Sequence, residues 1–207
     1  MTVRKGQSWG EPGSLPDGGV VVRSDAEARA VLEDARRGGH PYPALGLVGG
    51  DLWRTLGGTG DQARLRSDRA TTFTVDVGQA LVDGNLHLFV AHLVARTHLW
   101  TRALVVMNAQ WLTTRRGGRW NLGPRAHPGD GLLDVYRVGL GLADLPRVRR
   151  RLHHGAHLPH PGIKEQRTAA VQSDMGRPLP VRLDGVDIGR GRVLSVRAEP
   201  DALTVVV

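Results

Sequence analysis

Four short stretches of this sequence carry side chains able to do chemistry. In "RAHPGDGLLDVYRV", Arg125 to Val138, turn-forming residues run into a strand-like alternation. The Asp130 carboxylate can make the turn by bonding its own backbone. It can also hold a hard cation, since Mg2+ takes a carboxylate, one or two backbone carbonyls and several waters; spacing alone favours the turn. In "RLDGVDIG" the pair is Asp184 and Asp187. Asp-Gly between strand-like runs predicts a hairpin turn, while two nearby carboxylates also suit a general base or a metal ligand. Spacing leaves both readings open.

In "LVGGDLW" the residues are Gly49, Gly50 and Asp51, at a strand, glycine turn and helix start. Backbone N–H groups at such a helix start can hold a phosphate. Glycines there also simply permit a tight turn, and Asp51 is a good N-cap. With no GxGxxG and no GxxxxGK[ST] in the sequence, the purely structural reading is favoured. In "HHGAHLPH", His153, His154, His157 and His160 raise a zinc reading. Gly155 and Pro159 break any helix there and no carboxylate or thiol joins them, so a basic loop is expected, charging below about pH 6.5.

The elements that must position these residues fall into two styles. "VVVRS" predicts a short strand, and "SDAEARAVLEDARRGG" a helix with Ser24 and Glu27 as a capping box. Ala28, Val31, Leu32 and Ala35 form its apolar stripe, and Gly38-Gly39 end it. "PALGLVGG" and "DLWRTLGG" follow as strand and short helix, giving β-α-β-α in the first 60 or so residues. Residues 1–19, rich in Gly, Pro and Ser, read as irregular. From "TTFTVDV" onward, with Phe73, Val75 and Val77 on one face, the chain is a series of short strands: "DGNLHLFVAHLV", "RALVVMNA", "LLDVYRVGL", "RTAAVQS", "LPVRLDG", "RVLSVRA" and "LTVVV". Such a series predicts a β-sandwich or barrel. One helix interrupts it, "LADLPRVRRRLHHG", with Leu145, Val148 and Leu152 on one side and Arg147, Arg149, Arg150 and Arg151 over the rest. The fold class is thus α+β, a small α/β segment at 1–66 followed by a β-sandwich domain at 67–207.

Composition narrows the function classes. The 207 residues include no cysteine, which removes disulfides, thiolate metal sites and thiol catalysis. No apolar run is long enough for a transmembrane helix, and "MTVRKGQSWGEPG" lacks the apolar core of a secretory signal. A cytoplasmic location fits. The net charge of +8 favours anionic partners: nucleic acid, anionic lipid or phosphorylated ligands. At 4% aromatic, the chain offers little for base stacking, and no nucleic-acid-binding motif is present, so nucleic acid ranks last.

Taken in order, several segments resemble the bacterial diacylglycerol kinase or YegS-like lipid kinases. "MNAQWL…RRGGRWNLGPRAHPGDGLLDVYRV" is similar to the family's Asn-Gly stretch, glycine run and Asp-Gly-Leu-Leu-Asp-Val. "HHGAHLPHPGI" resembles its Gly-x-His…His-Pro-Gly segment, and "PLPVRLDGVDIG" its Leu-Asp-Gly-Glu hairpin. "LGLVGGDLWRTLGG" looks like a shortened Gly-Thr-x-Asn-Asp-x-Ala-Arg segment, with Asp51 at its Asp. The resemblance spans roughly residues 42–207. It implies an ATP-binding α/β domain, a β-sandwich with lipid-side and catalytic groups, and a cleft between them. There the γ-phosphoryl of ATP passes to a lipid hydroxyl, with Mg2+ neutralising charge and a carboxylate taking the proton. It also implies a Mg2+ at the Asp130 turn, held by the Asp130 carboxylate and the carbonyls of His127 and Leu132.

The departures from that pattern point the other way. The Gly-Gly-Asp-Gly-Thr phosphate motif, the Asn-Pro strand and the Gly-Phe-Asp segment are missing, and the family's Glu in Asp-Gly-Glu is Val186. Losing phosphate clamps costs several kcal/mol, and losing a general base about 10²–10⁴-fold in rate. The expectation is a diverged lipid-kinase-family protein with little autonomous ATP-dependent activity, which binds lipid or a phospho-ligand and docks on anionic membrane through the Arg147–Arg151 helix. The alternative is an active kinase in which Gly49, Gly50 and Asp51 hold phosphate and Asp184 or Asp187 replaces the Glu. A homodimer or a partner chain would then complete the site.

Overall fold

The first layer of the structure is local in origin. In a computed structural model, which describes residues 9–207, β1 (Glu11–Pro12) and β2 (Val20–Val22) lead into α1 (Asp25–Arg37). The Ser24 hydroxyl accepts the Glu27 N–H at 3.2 Å, and the Glu27 carboxylate accepts the Arg23 N–H at 2.7 Å. This is the expected capping box, its return bond one residue further out. Ala28 and Leu32 from the apolar stripe are buried. β3 (Leu45–Leu47) pairs in parallel with β2, and α2 (Asp51–Thr55) follows the glycine turn. The β-α-β-α expectation therefore holds. Within the stretch expected to be irregular, β1 pairs with the next long strand, β4; residues 1–8 lie outside the described residues.

The long strands then take over. They are β4 (Thr71–Val82), β5 (Asn85–Phe89), β6 (His92–Arg96), β7 (Arg102–Met107), a small hairpin of β8 (Trp111–Thr113) and β9 (Arg119–Asn121), and β10 (Leu133–Gly139). Helix α3 (Leu145–Leu152) precedes β11 (Ile163–Thr168), β12 (Ala170–Leu183) and β13 (Val186–Val206). The main path of the sheet runs β1-β4-β13-β12-β6-β7-β10-β11, with antiparallel neighbours throughout. Ala80 and Val82 of β4 share a core with Leu104 of β7 and Val135 of β10, from the far side of this order. The sheet therefore folds over itself as a sandwich, as strand alternation requires when one face must be buried. Gly78 stands opposite Phe89, whose ring lies where a Cβ would go; a glycine lets the aromatic ring cover the strand.

Two expected strands, "RVLSVRA" and "LTVVV", are one. β13 runs through Glu199–Ala202 with a register shift instead of a turn, and Asp201 sits there at φ 52°. "RTAAVQS" and "LPVRLDG" are joined in the same way: β12 shifts register between Asp174 and Leu179, around Gly176 at φ 73°. In both, residues typical of turns make a bulge because the partner strand continues.

The end of β13 also pairs in parallel with β3, and Val22, Leu32, Leu45 and Leu52 share a core with Val75, Val77, Leu203 and Val205. Sheet and core thus run across residues 66–67, where the sequence changes style. α3 and the β8–β9 hairpin cover the outer face of β6, β7 and β10. Among the described residues no helix is long and apolar enough to cross a membrane.

Candidate functional site

The glycine turn at 49–50 brings α2 up against α1 and the β5–β6 junction. The Asp25 carboxylate, at the start of α1, accepts the Asp51 N–H at 2.6 Å and the Leu52 N–H at 3.0 Å. These are the donors that a phosphate would need at this helix start. A Cβ on Gly50 would lie 2.5 Å from Asp25 Oδ1, and one on Gly49 would strike the Arg23 carbonyl. Both glycines therefore serve close packing, and an internal carboxylate takes the place expected for a phosphate. The arrangement does not fit ATP phosphates at Gly49 and Gly50.

The Asp51 side chain turns inward. Its carboxylate lies 3.1 Å from His92 Nε2 and accepts the Thr113 N–H at 2.7 Å and the Thr113 hydroxyl at 2.6 Å. Asp184 is at the tip of the β12–β13 hairpin, at φ 50°, in the Asp-Gly turn expected there. Its carboxylate accepts three backbone N–H groups, from Val90 at 3.0 Å, Ala91 at 2.9 Å and His92 at 3.1 Å. Asp25, Asp51, His92 and Asp184 are all buried. Burial, then the charge of Asp184, pushes the Asp25 carboxyl up to about 7 against the opposing bond from the Asp51 N–H. Burial also raises Asp184, against the charge of His92 and the three N–H bonds. For Asp51, burial is outweighed by the bond and charge of His92 and by Thr113, and its carboxyl lies below the usual range. Burial would lower His92, but the Asp51 bond and the three carboxylate charges hold it above its ordinary value. The cluster is a buried ionic joint that ties α1 and α2 to the sandwich.

Asp187 is not part of it. Its side chain is half-exposed, caps its own turn by accepting the Gly189 N–H at 3.0 Å, and lies 3.6 Å from Arg182. Val186, at the position of the family's Glu, is exposed. The structure thus separates the two candidate carboxylates: Asp184 is locked by three amides, and Asp187 is free of the cluster.

At the Asp130 turn the carboxylate accepts the Leu132 N–H at 2.9 Å and pairs with the Arg167 guanidinium. Arg167 stands across the strand pair from Asp134 and lies 3.6 Å from its carboxylate. His127 Nδ1 accepts the Gly129 N–H at 3.3 Å, and its ring packs on Trp9. Both Asp130 oxygens are therefore engaged, one by the turn and one by a cation of the protein itself. Leu132 presents an N–H to Asp130. The arrangement does not fit Mg2+, whose charge would have to share this carboxylate with Arg167. Sequence reasoning missed buried Asp76, which holds the same turn by accepting the Gly131 N–H at 2.7 Å and the Asp201 N–H at 3.0 Å. In "TTFTVDV" it alternates with apolar residues and reads as a solvent-facing position.

A different kind of site lies under α3. Trp100, Val105, Trp120, Tyr136, Val148 and Leu152 line an apolar slot between the helix, the β8–β9 hairpin and β10. His157, expected in a basic loop, lies buried in its wall, and neither ring nitrogen has a hydrogen-bond partner within ordinary distance. Burial, opposed only by the Leu122 main chain, pushes its pKa down to about 4. It is a neutral imidazole, not a source of charge. His160 Nδ1 accepts the Gly162 N–H, and His153 and His154 are exposed; the four histidines do not converge.

Residues 81–207 match the profile of the YegS C-terminal NAD kinase beta sandwich-like domain. The chain belongs to this family. Among solved structures it is similar to a protein assigned as a diacylglycerol kinase from Bacillus anthracis str. Sterne, with a TM-score of 0.67 at 14% identity over 90% of this chain and 77% of that one. A second structure under that description gives 0.64 at 15%, with the same coverage. A diacylglycerol kinase from the same organism gives 0.60 at 15%, over 90% and 75%. At these identities the likeness is one of fold. No curated protein matches the sequence. The family's sandwich is thus matched over residues 81–207, whereas the two places where its chemistry was expected, Gly49–Asp51 and Val186, hold an internal carboxylate contact and an exposed valine.

Proposed function

We propose that this chain is a lipid-binding member of the lipid-kinase family that transfers little or no phosphoryl group from ATP by itself. The observation that carries the reading is the apolar slot under α3, with an unpartnered imidazole in its wall. A buried polar atom without a partner costs about 1–3 kcal/mol. A hydroxyl or ester oxygen on an otherwise apolar ligand would remove that cost at His157. The closed slot holds about 40 Å³, room for only a few atoms, so an acyl chain enters as α3 lifts. α3 is suited to a membrane surface. Leu145, Val148 and Leu152 face inward, Arg147, Arg150 and Arg151 face out, Arg149 reaches the edge of the slot, and Leu142 beside the helix is 64% exposed. Each such Arg adds about 1 kcal/mol to docking on an anionic leaflet.

Vesicle flotation tests the reading. Binding should rise when phosphatidylglycerol is added to phosphatidylcholine vesicles and fall with salt. Binding indifferent to anionic lipid and to salt would reject it.

A further inference from the structure

Two guanidinium groups, of Arg96 and Arg149, meet at the Trp100 edge of the α3 slot, and the β8–β9 hairpin that carries Arg115 packs against the same tryptophan. Arg96, at the end of β6, packs over the Trp100 ring with its Cζ 4.6 Å from the centroid. Its Nη1 donates to the carbonyls of Thr97 at 2.9 Å and His98 at 2.8 Å, which fixes the fork. Trp100 meets Trp120 of β9 edge-on at 5.4 Å, so the β8–β9 hairpin, whose tip carries Arg115, leans on the same point. Arg149 of α3 lines the slot beside both tryptophans. Arg96 is pushed down from its ordinary value, first by burial and then by the neighbouring charges of Arg115 and Arg149. Among the described residues no carboxylate forms an ion pair with any of the three.

Like charges held together without a counter-charge repel one another, and an anion between them relieves the repulsion. Arginine forks match phosphate oxygens, and a phosphomonoester brings about −1.5 to −2 charges at pH 7. The apolar slot lies directly beside them. We propose that Arg96, Arg115 and Arg149 form a phosphate site that receives the headgroup of an acyl lipid whose chain enters the slot. This inference rests on the lipid-binding reading above. It adds a headgroup preference, for a phosphomonoester lipid over a neutral or phosphodiester one.

The test is flotation of the full chain with phosphatidylcholine vesicles carrying diacylglycerol, phosphatidic acid or phosphatidylglycerol, the last two matched for surface charge. Calorimetric titration with inorganic phosphate accompanies it. Phosphatidic acid should bind more tightly than phosphatidylglycerol at equal surface charge. Arg115→Gln and Arg149→Gln should each weaken phosphatidic acid binding about fivefold. Arg177→Gln, an exposed arginine in the β12 bulge, serves as the net-charge control and should leave binding unchanged. Equal binding of the two anionic lipids, or an equal loss in Arg177→Gln, would overturn the headgroup site while leaving lipid binding intact. Failure to bind any vesicle would overturn both readings. Inorganic phosphate binding that is lost in Arg115→Gln, with no vesicle binding, would overturn the lipid source and leave a site for soluble phosphates.

Discussion

The joint at α2 and the slot under α3 are both lined by buried ionisable residues, yet they use their polar atoms in opposite ways. At the joint, all six carboxylate oxygens of Asp25, Asp51 and Asp184 have donors within the chain, and His92 Nδ1 is the one polar atom of these four side chains left without a partner. Under α3, the buried His157 imidazole has no partner within ordinary distance for either nitrogen, and among the described residues no carboxylate pairs with Arg96, Arg115 or Arg149. Polar groups that are fully satisfied internally hold a fold together and have nothing left to offer a ligand. Groups left unsatisfied at a burial cost mark the place where a ligand supplies the missing partner. By that criterion the carboxylates of the joint serve the fold, and the α3 end is the place where the proposed ligand would find unmet polar groups.

The contrast can be broken most strongly at Asp184. Asp184→Ala leaves three buried N–H groups without an acceptor and removes a counter-charge from His92, so it should cost about 3–5 kcal/mol in urea unfolding. A loss below about 1 kcal/mol would mean that the joint is not holding the two parts together.

His157 should behave in the opposite way. Its pKa is about 4 in the folded protein against an ordinary 6.5, so the unfolded chain takes up the proton first as pH falls. The stability that depends on a neutral His157 is complete above pH 6.5 and is lost between pH 6.5 and 4, by about 3 kcal/mol. His157→Phe should remove this acid-side slope and should not destabilise the protein at pH 7. Parallel slopes for the two proteins would contradict the burial of an unpartnered imidazole.

Arg167→Gln takes the cation from Asp130 and Asp134 and should cost about 1 kcal/mol. The native protein's Tm should be unmoved by Mg2+ or a chelator, because Arg167 already balances this turn. A chelator-sensitive Tm in the native protein would place a metal there after all. At the small end, Asp187→Asn, half-exposed and outside the joint, should change stability by less than about 0.5 kcal/mol.

Local features of the sequence were readable because their partners are close in the chain. Ser24 and Glu27 cap α1 across three residues, Asp184-Gly185 turn a hairpin, and Phe73, Val75 and Val77 bury together by simple alternation. The joint was not readable, because Asp25 meets Asp51 across 26 residues, and Asp184 meets Ala91 across 93. On its own Asp25 looks like an ordinary first-turn acid. The same distance hides the meaning of Gly49-Gly50: a glycine turn before a helix has one appearance whether a phosphate or an internal carboxylate sits on it. At Asp130 the turn reading was available from Asp-Gly. Arg167, 37 residues later, could be placed beside it only by the pairing of β10 with β11. His157 looked like one member of a histidine-rich loop, and only the packing of α3 over β10 separates it from its neighbours.

Calorimetric titration of the native protein with MgATP, with ADP and inorganic phosphate as controls, tests the central claim most directly. With Asp25 on the α2 donors, ATP should give no saturable heat at millimolar concentration. Micromolar binding that the phosphate control does not reproduce would show that the shortened α/β segment still makes a nucleotide site, and would contradict the account.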